Sequence, residues 1–389
     1  MSDKGTKADI VIATVGRFHY GTLASRLHAL GRLRRFYSGF SQKRLACPDV
    51  PGDLVCSHLY PMTPVSVLAK LGLLRGDLLV RGYRWAQIEL DRFIARDLPD
   101  CSTYVALSGC AVESGRVAKN RGIGFVCERA SEHIVRADRR MAAEYARWGV
   151  PYRPTDPVMI ERELAEYEQA DRIIVMSQRS RESFAEQDPT LLDKVHVVAP
   201  DVSANFDGAR RQRAGDDVEV RLLFVGAQSL RKGFGRLLRA YARVRTHRSS
   251  LSIVGNPVDE TPTLLRDVDT TGVRWLGVMP QARLAQHYAD ADLLVVPSVE
   301  DGLPTCALEA LACGCPVLIS DLAGSAQYVE QEVNGLIYPG EDDDALAGNL
   351  HRVLTDADLL GRLKEGVQRL GATWNLGKGY GERWLETLP

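Results

Sequence analysis

"ADLLVVPSVEDGLPTCALEALACGCPVLISD", residues 291–321, carries a complete strand–loop–helix–strand unit. "ADLLVVPS" (291–298) is a continuous apolar run, the signature of a strand buried on both faces. "VEDGLP" turns the chain, a helix begins near Thr305, and "CPVLIS" (315–320) is a second buried run. Two such strands bridged by a helix predict a parallel sheet. The same rhythm extends outward through "VRLLFVG" (220–226), "SLSIVG" (250–255) and "GVRWLG" (272–277), with helical spacing in "KGFGRLLRAYARVR" (232–245) and "ARLAQHYADA" (282–291). It also fills the first half: "IVIATV" (10–15), "TYVAL" (103–107), "GIGFVC" (122–127), "RIIVMS" (172–177) and "KVHVVAP" (194–200) read as strands. "GTLASRLHALG" (21–31) and "PVMIERELAEYEQA" (157–170), with Pro157 near its start, read as helices.

The polar stretch "DVSANFDGARRQRAGDDVEV" (201–220) interrupts the rhythm and is read as a domain boundary. The expectation is α/β: two doubly wound Rossmann-like domains, residues 1–205 and 218–373, facing each other across a cleft, with a last helix near 374–389 packing back onto the first. Ligands of such sheets bind outside the carboxyl ends of the strands, so the cleft is the expected site.

With 45% hydrophobic and 25% charged residues, the composition is that of an ordinary soluble protein. The start is polar, and no apolar run reaches bilayer-spanning length. The eight cysteines include no CxxC pair, and Cys313 and Cys315 read as packing residues, so a reduced, cytoplasmic protein is expected. The net charge of −1 conceals an asymmetry: residues 1–155 balance to +10, the remainder to −11. The basic part suits an anionic partner, a membrane surface or a phosphate-bearing acceptor, or is simply a solvated face. No nucleic-acid-binding motif accompanies it.

Asp301 and Glu309, eight positions apart, are acidic in an otherwise apolar or small segment. The free N–H groups at the helix start near Thr305 suit a phosphate. A carboxylate just before the helix reaches sugar hydroxyls, and one a turn inside it reaches a ribose diol, each accepting two hydrogen bonds. The alternative is that Asp301 caps the helix and Glu309 is buried and paired. Further upstream, Arg231, Lys232 and Gly233 follow a strand, an arrangement suited to a diphosphate.

From residue 218 to the end, "FVGAQSLRKGFGRLLRAY", "LSIVG", "VRWLGVMPQARLAQHYADADLLVVPSVEDGLPTCALEALACGCPVLISD", "GSAQYVEQEVNGLIYPGEDDDALAGNLHRVLTD" and "TWNLGKGYGERW" together resemble the donor domain of family 4 retaining glycosyltransferases, which have the GT-B architecture. In the first half, "GRFHYGTLASRL", "VCERASEHI" and "DPVMIERELAEYEQADRIIVMS" look like a bacterial branch of that family. The resemblance implies that Asp301 meets the donor sugar, where the family more often has Glu, and that Glu309 meets the ribose. Glu300 is set aside on spacing. Lys232 matches the phosphate-binding lysine; the arginine usual after the strand glycine Gly226 is Ala227 here, with Arg231 able to compensate. Gly16 and the loop through Arg17 to His19 match the glycine loop beneath the donor. The implied donor contacts extend to Val278, Met279, Gly302, Leu303, Pro304 and Thr305.

His19 and His133 stand at the expected carboxyl ends of first-domain strands, where either bonds the transferred sugar or the acceptor, or is structural. Glu128, Arg129 and Ser131 share the second loop and are candidates for the acceptor side. "EDDDALA" (341–347) reads as a helix cap over a metal cluster, and no set of residues has metal-ligand spacing. The segment 66–98 is apolar and basic by turns, suited to a membrane or, more simply, to buried helices with basic faces. The implied activity is transfer of a sugar from a nucleotide-sugar to a glycan or lipid-linked acceptor, with retention and without a required metal or cofactor. It would serve cell-surface polysaccharide or glycolipid synthesis, at the inner face of the membrane where the acceptor is membrane-held. The alternatives are an epimerase or phosphorylase of the same architecture, or a non-catalytic nucleotide-sugar-binding subunit.

Overall fold

The computed structural model describes residues 9–16, 19–202, 206, 219–370 and 379–389. Two parallel sheets form it. The first contains β1 (Ile10–Thr14), β2 (Leu33–Ser38), β3 (Val55–Ser57), β4 (Thr103–Leu107), β5 (Gly124–Arg129), β6 (Arg172–Val175) and β7 (Val195–Val197), in the order β3-β2-β1-β4-β5-β6-β7. The second contains β8 (Val220–Val225), β9 (Ser249–Val254), β10 (Val273–Gly277), β11 (Leu293–Val296), β12 (Val317–Ser320) and β13 (Gly335–Tyr338), in the order β10-β9-β8-β11-β12-β13. Every pairing is parallel. Each sheet is doubly wound, with strand order reversing between β1 and β4 in one and between β8 and β11 in the other. Such a switch point opens a crevice at the carboxyl ends of the strands.

Packing explains why the strands read as unbroken apolar runs. Ile10 and Ile12 feed one core and Val11 and Ala13 another, on opposite faces of the first sheet. In the second sheet Leu293 and Val295 likewise face one core, and Leu294 and Val296 the other. The helix Phe234–Val244 turns Phe234, Leu237, Leu238 and Tyr241 inward. The helix Pro157–Gln169 starts on Asp156, whose carboxylate accepts the Val158 N–H at 3.0 Å. Asp342 caps Asp343–Thr355 in the same way, accepting the Ala345 N–H at 2.8 Å. The acids of "EDDDALA" therefore serve a helix start.

The structure departs from the expected elements in two places. First, β2, β3 and β13 were not anticipated. "LRRFYS" exposes Arg34 and puts basic residues into a strand, and β3 is only three residues long. Second, residues 62–97 form two helices, Met62–Lys70 and Gly76–Asp97, and these are buried only in part, the first at Met62 and Val65. In the longer one the buried residues, Ala86, Leu90, Asp91 and Ile94, all lie from Ala86 onward. That part is fastened by Asp91, which accepts the Ser114 N–H at 2.8 Å. Residues 76–85 before it are exposed or half-buried.

The last helix, Tyr380–Thr387, lies on Tyr20–Ala29 of the first half and sends Tyr380 and Trp384 into its core. Among the described residues no helix is long and apolar enough to cross a membrane.

Candidate active site

The site forms at the switch point of the second sheet, where the loops after β8 and β11 run side by side. Gly233 makes this possible. Its φ is +66°, and a Cβ there would lie 1.8 Å from the Pro297 carbonyl oxygen, so only glycine fits. The Val299 N–H donates to the Arg231 carbonyl at 2.9 Å and locks the two loops together. Gly226 lies beneath the Lys232 stem, a built Cβ coming 3.7 Å from its Cγ.

This approach brings four charged side chains into one cluster. The Lys232 ammonium donates to Asp301 Oδ2. Arg231 Nε donates to Glu300 Oε2 at 2.7 Å, and its Nη2 lies 3.8 Å from Asp301 Oδ1. Asp301 therefore pairs with cations and does not cap the following helix, which has no side-chain cap at all. The Thr305–Ala312 helix presents an open N-terminus beside two cations, a ready anion site.

Glu300, set aside on spacing alone, is central. It is 3% exposed and joins the two domains: the Ser131 hydroxyl donates to Oε1, and the Glu132 N–H approaches the same oxygen at 3.3 Å. Burial alone would raise this carboxyl, but Arg231, the Ser131 hydrogen bond and Arg129 outweigh it and hold the group at about 2. Its folded value is depressed, so its contribution to domain closure is complete above about pH 4.5 and is lost as the pH falls toward 2.

Gly302 presses on the same loop. A Cβ there would stand 2.2 Å from the Ala130 carbonyl oxygen and 2.7 Å from Ser131 Cα. Gly302→Ala is expected to force the domains apart. Misplacement by about 1 Å costs on the order of a hundredfold in rate, so turnover should fall by about that factor while the isolated second domain's groups still bind nucleotide. Small-angle scattering on the variant should show a more open particle; an unchanged profile with unchanged turnover would remove the contact from the closing mechanism.

Glu309 is half-buried and, among the described residues, has hydroxyl partners only: Tyr288 OH donates to Oε2 at 2.8 Å and Thr305 Oγ1 to Oε1 at 3.3 Å. Burial raises its carboxyl against the opposing effect of these two hydroxyls. Cys306, not singled out from the sequence, sits among Lys232, Glu309 and Asp301, and burial pushes its thiol up to about 12. Pro304 precedes the helix and accepts from Ser325 Oγ at 2.9 Å. Leu303 packs with Met176, Ala199 and Leu308 in an apolar contact between the two halves. Met279 packs on the second core, while Val278 beside it is exposed.

The first-domain candidates separate. Gly16 donates its N–H to Thr14 Oγ1 at 3.1 Å, closing the turn after β1; Arg17 lies outside the described residues. His19 Nε2 meets the fully buried Glu128 Oε1, with Tyr20 and Tyr380 close around. Arg129 is engaged by Glu163 at 3.0 Å and by the Glu132 carbonyl at 2.9 Å, so it is a bracing group and its guanidinium is not free for an acceptor. Of the two readings of His133, sugar- or acceptor-bonding or structural, its surroundings fit the structural one. It is 3% exposed, its ring packs on Tyr167 and Phe184 at centroid distances of 5.3 and 4.9 Å, and burial with the nearby Arg129 charge lowers it to about 4. The strand end places its backbone near the cleft, but the helix it begins turns the ring into the core. Ser131 is the member of this loop that reaches across to the second domain.

Beside the cluster, a cavity of about 400 Å³ opens between the helix Ile134–Arg147 and the second domain, lined by Arg136, Arg139, Arg140, Arg147 and Arg236 with Glu144 and Glu341. Several of these pair across the domains: Arg236 Nε with Glu144 at 2.8 Å, Arg147 with Asp343 at 2.6 Å, Arg140 with Glu341 at 3.5 Å. Part of the charge asymmetry between the halves is thus neutralised at their interface.

Residues 219–356 match the family model for group 1 glycosyl transferases. A glycosyltransferase of Methanocaldococcus jannaschii is 32% identical over 210 residues, 50% of this chain and 53% of that protein. The D-inositol 3-phosphate glycosyltransferase of Frankia alni is 30% identical over 280 residues, 62% of this chain and 67% of that protein. With the first of these, as with several other curated relatives, the match spans about half of the relative's length. Among solved structures, the fold is shared with sucrose-phosphate synthase of Thermosynechococcus elongatus, at a TM-score of 0.62 and 19% identity over 93% of this chain and 94% of the other. It is also shared with Anabaena HepE in complex with UDP-glucose, at 0.66 and 13% over 97% and 99%. Both sheets are therefore those of the two-domain GT-B architecture, and on the strength of the family model and the Frankia relative the chain belongs to the group 1 glycosyltransferases.

Proposed function

We propose that this chain transfers a glycosyl group from a sugar nucleotide, bound on the second domain, to an acceptor held against the first, with retention of configuration. The observation that carries the reading is the meeting of Lys232, Arg231, Asp301 and the uncapped helix start of Thr305–Ala312 at one switch point. The cations and helix N–H groups receive the diphosphate and stabilise the charge that grows on it as the glycosidic bond breaks. Asp301, released from Lys232 by the incoming phosphate, turns to the sugar hydroxyls. Glu309 takes the ribose diol. No metal is required, because Lys232 and Arg231 supply the positive charge.

An anionic acceptor is supported by the cavity beside Val299, where Arg139 lines the wall without an ion pair among the described residues while the other four arginines are paired with acids. The curated relatives named for D-inositol 3-phosphate point to the same class, a phosphate-bearing polyol. A glycan or lipid-linked acceptor carrying phosphate satisfies this chemistry equally, as in polysaccharide or glycolipid synthesis at the inner face of a membrane.

The test is a thermal-stability screen against UDP-, GDP-, ADP- and dTDP-sugars, followed by product analysis with the stabilising donor. One nucleotide class should raise the melting temperature and yield a new glycoside when phosphorylated polyols are supplied. An isomerised donor would indicate an epimerase, and stabilisation without turnover on any acceptor a binding subunit.

A further inference from the structure

Ten of the sixteen large apolar side chains exposed among the described residues fall within residues 59–85. They occupy the helix Met62–Lys70, the turn after it, and the stretch 76–85 of Gly76–Asp97. The two helices touch each other near Val65 and Gly82, where a built Cβ lies 3.3 Å from Val65 Cγ1. Leu71 and Leu73 in the turn at its tip are 66% and 67% exposed and Leu78 just beyond it 61%, while Tyr60 at the other end, against Trp85, is 69%. Isolated exposed apolar residues need no explanation, but a contiguous set of this size marks a contact surface.

The charge around the patch identifies the contact. Lys70, Arg75, Arg81 and Arg153 are all exposed, and among the described residues none of them is in an ion pair. Arg153 stands against the start of the second helix, 3.5 Å from a Cβ built on Gly76. Between residues 54 and 88 the only acidic residue is Asp77. Leucines at a tip, Tyr83 and Trp85 behind them, and a collar of unpaired cations are the composition of an interfacial helix pair. A second copy of the chain is a poor occupant, because a two-fold contact would set these cations against their own copies.

We propose that the hairpin 59–85 docks the protein on an anionic lipid bilayer, with Leu71 and Leu73 entering the headgroup–acyl boundary and Lys70, Arg75 and Arg81 meeting lipid phosphates. The surface is separate from the donor site, and its behaviour is read independently of catalysis.

The experiment is co-sedimentation of the full chain with vesicles of phosphatidylcholine alone and with one containing phosphatidylglycerol, at low and high salt. The chain should pellet with the anionic vesicles and be released by salt. Leu71→Glu/Leu73→Glu should lower partitioning at least about tenfold, since burying each leucine is favourable and burying each new carboxylate is not. Lys70→Gln/Arg75→Gln/Arg81→Gln should lower it by about fivefold per charge and remove most of the salt dependence. Unchanged far-ultraviolet dichroism and unchanged nucleotide-induced stabilisation confirm that the variants fold. The proposal is overturned if the wild-type chain stays in the supernatant with anionic vesicles at low salt, or if the leucine variant pellets equally. It is also overturned if that variant instead converts a dimer to a monomer in analytical ultracentrifugation without affecting vesicle binding, which would make the hairpin an interface between copies.

Discussion

Lys232→Ala should lower turnover by two to three orders of magnitude while weakening nucleotide affinity far less. The ammonium already contacts the Asp301 carboxylate, so in the free protein its charge is partly compensated. A ground-state donor diphosphate must displace that partner, and the net gain on binding is correspondingly small. As the glycosidic bond breaks, negative charge accumulates on the departing oxygen, and the fixed ammonium gains strength with it. Groups whose interaction grows in this way raise turnover more than affinity, and removing one preorganised partner of a developing anion costs about 2.7–4 kcal/mol.

Arg231→Ala is informative for a different reason. Arg231 holds the buried Glu300, which in turn holds Ser131 of the other domain. Its loss leaves a buried carboxylate short of its cation, a cost that appears as domain opening or lower stability as well as lower turnover. Single-turnover kinetics with isothermal calorimetry separates the cases. A Lys232 variant with normal turnover places the leaving-group site elsewhere; an Arg231 variant that loses turnover but keeps its closed scattering profile assigns Arg231 directly to the diphosphate, in the place left by Ala227.

What the sequence disclosed and what it withheld follow from the range of the interactions involved. Strands such as β11 and β12 are legible because burial on both faces forces every position to be apolar. The β2 strand is not, because Arg34 and Arg35 lie ahead of the stretch Phe36–Ser38 that pairs with β3, where, among the described residues, the edge of the strand is unpaired on that side. The spacing of Asp301 and Glu309 is a local property, set by one loop and one helix, and it was readable. The role of Glu300 was not. It depends on Ser131, 169 residues away in the chain, and no spacing rule within a single segment reports a contact of that separation. In the sequence His133 stands open between two readings for a related reason. Its position at a strand end was read correctly, but the direction of the ring was fixed by Tyr167 and Phe184 on other helices. The segment 66–98 reads more simply as buried helices than as a membrane surface, because periodicity reveals an apolar face without saying what covers it.

Glu309→Ala should weaken donor binding by one to two orders of magnitude without unfolding the protein. The carboxylate accepts from Tyr288 and Thr305 and, among the described residues, has no cation opposite it. Burial raises its carboxyl, so in the free protein ionisation at neutral pH is a cost to the folded state. Deleting the group should therefore leave the melting temperature unchanged or raise it. Binding responds in the other direction. A carboxylate that accepts both hydroxyls of a ribose supplies about 2–3 kcal/mol, so affinity should fall by roughly 30- to 150-fold. Glu309→Gln retains one acceptor oxygen and should lose less. The pH dependence gives a second reading. Because burial raises this carboxyl above its ordinary value, donor affinity in the wild type should begin to fall at a higher pH than an ordinary glutamate would dictate, and the Gln variant should lack that limb. Tyr288→Phe removes the donor that holds Oε2 and should move the same limb to still higher pH, because one of the hydrogen bonds favouring the ionised form is gone. Calorimetric titration of the nucleotide across pH 5–8 in the four proteins tests the set. Equal affinity in wild type and Glu309→Ala would mean that the ribose is held elsewhere and that Glu309 serves only to place Tyr288 and Thr305.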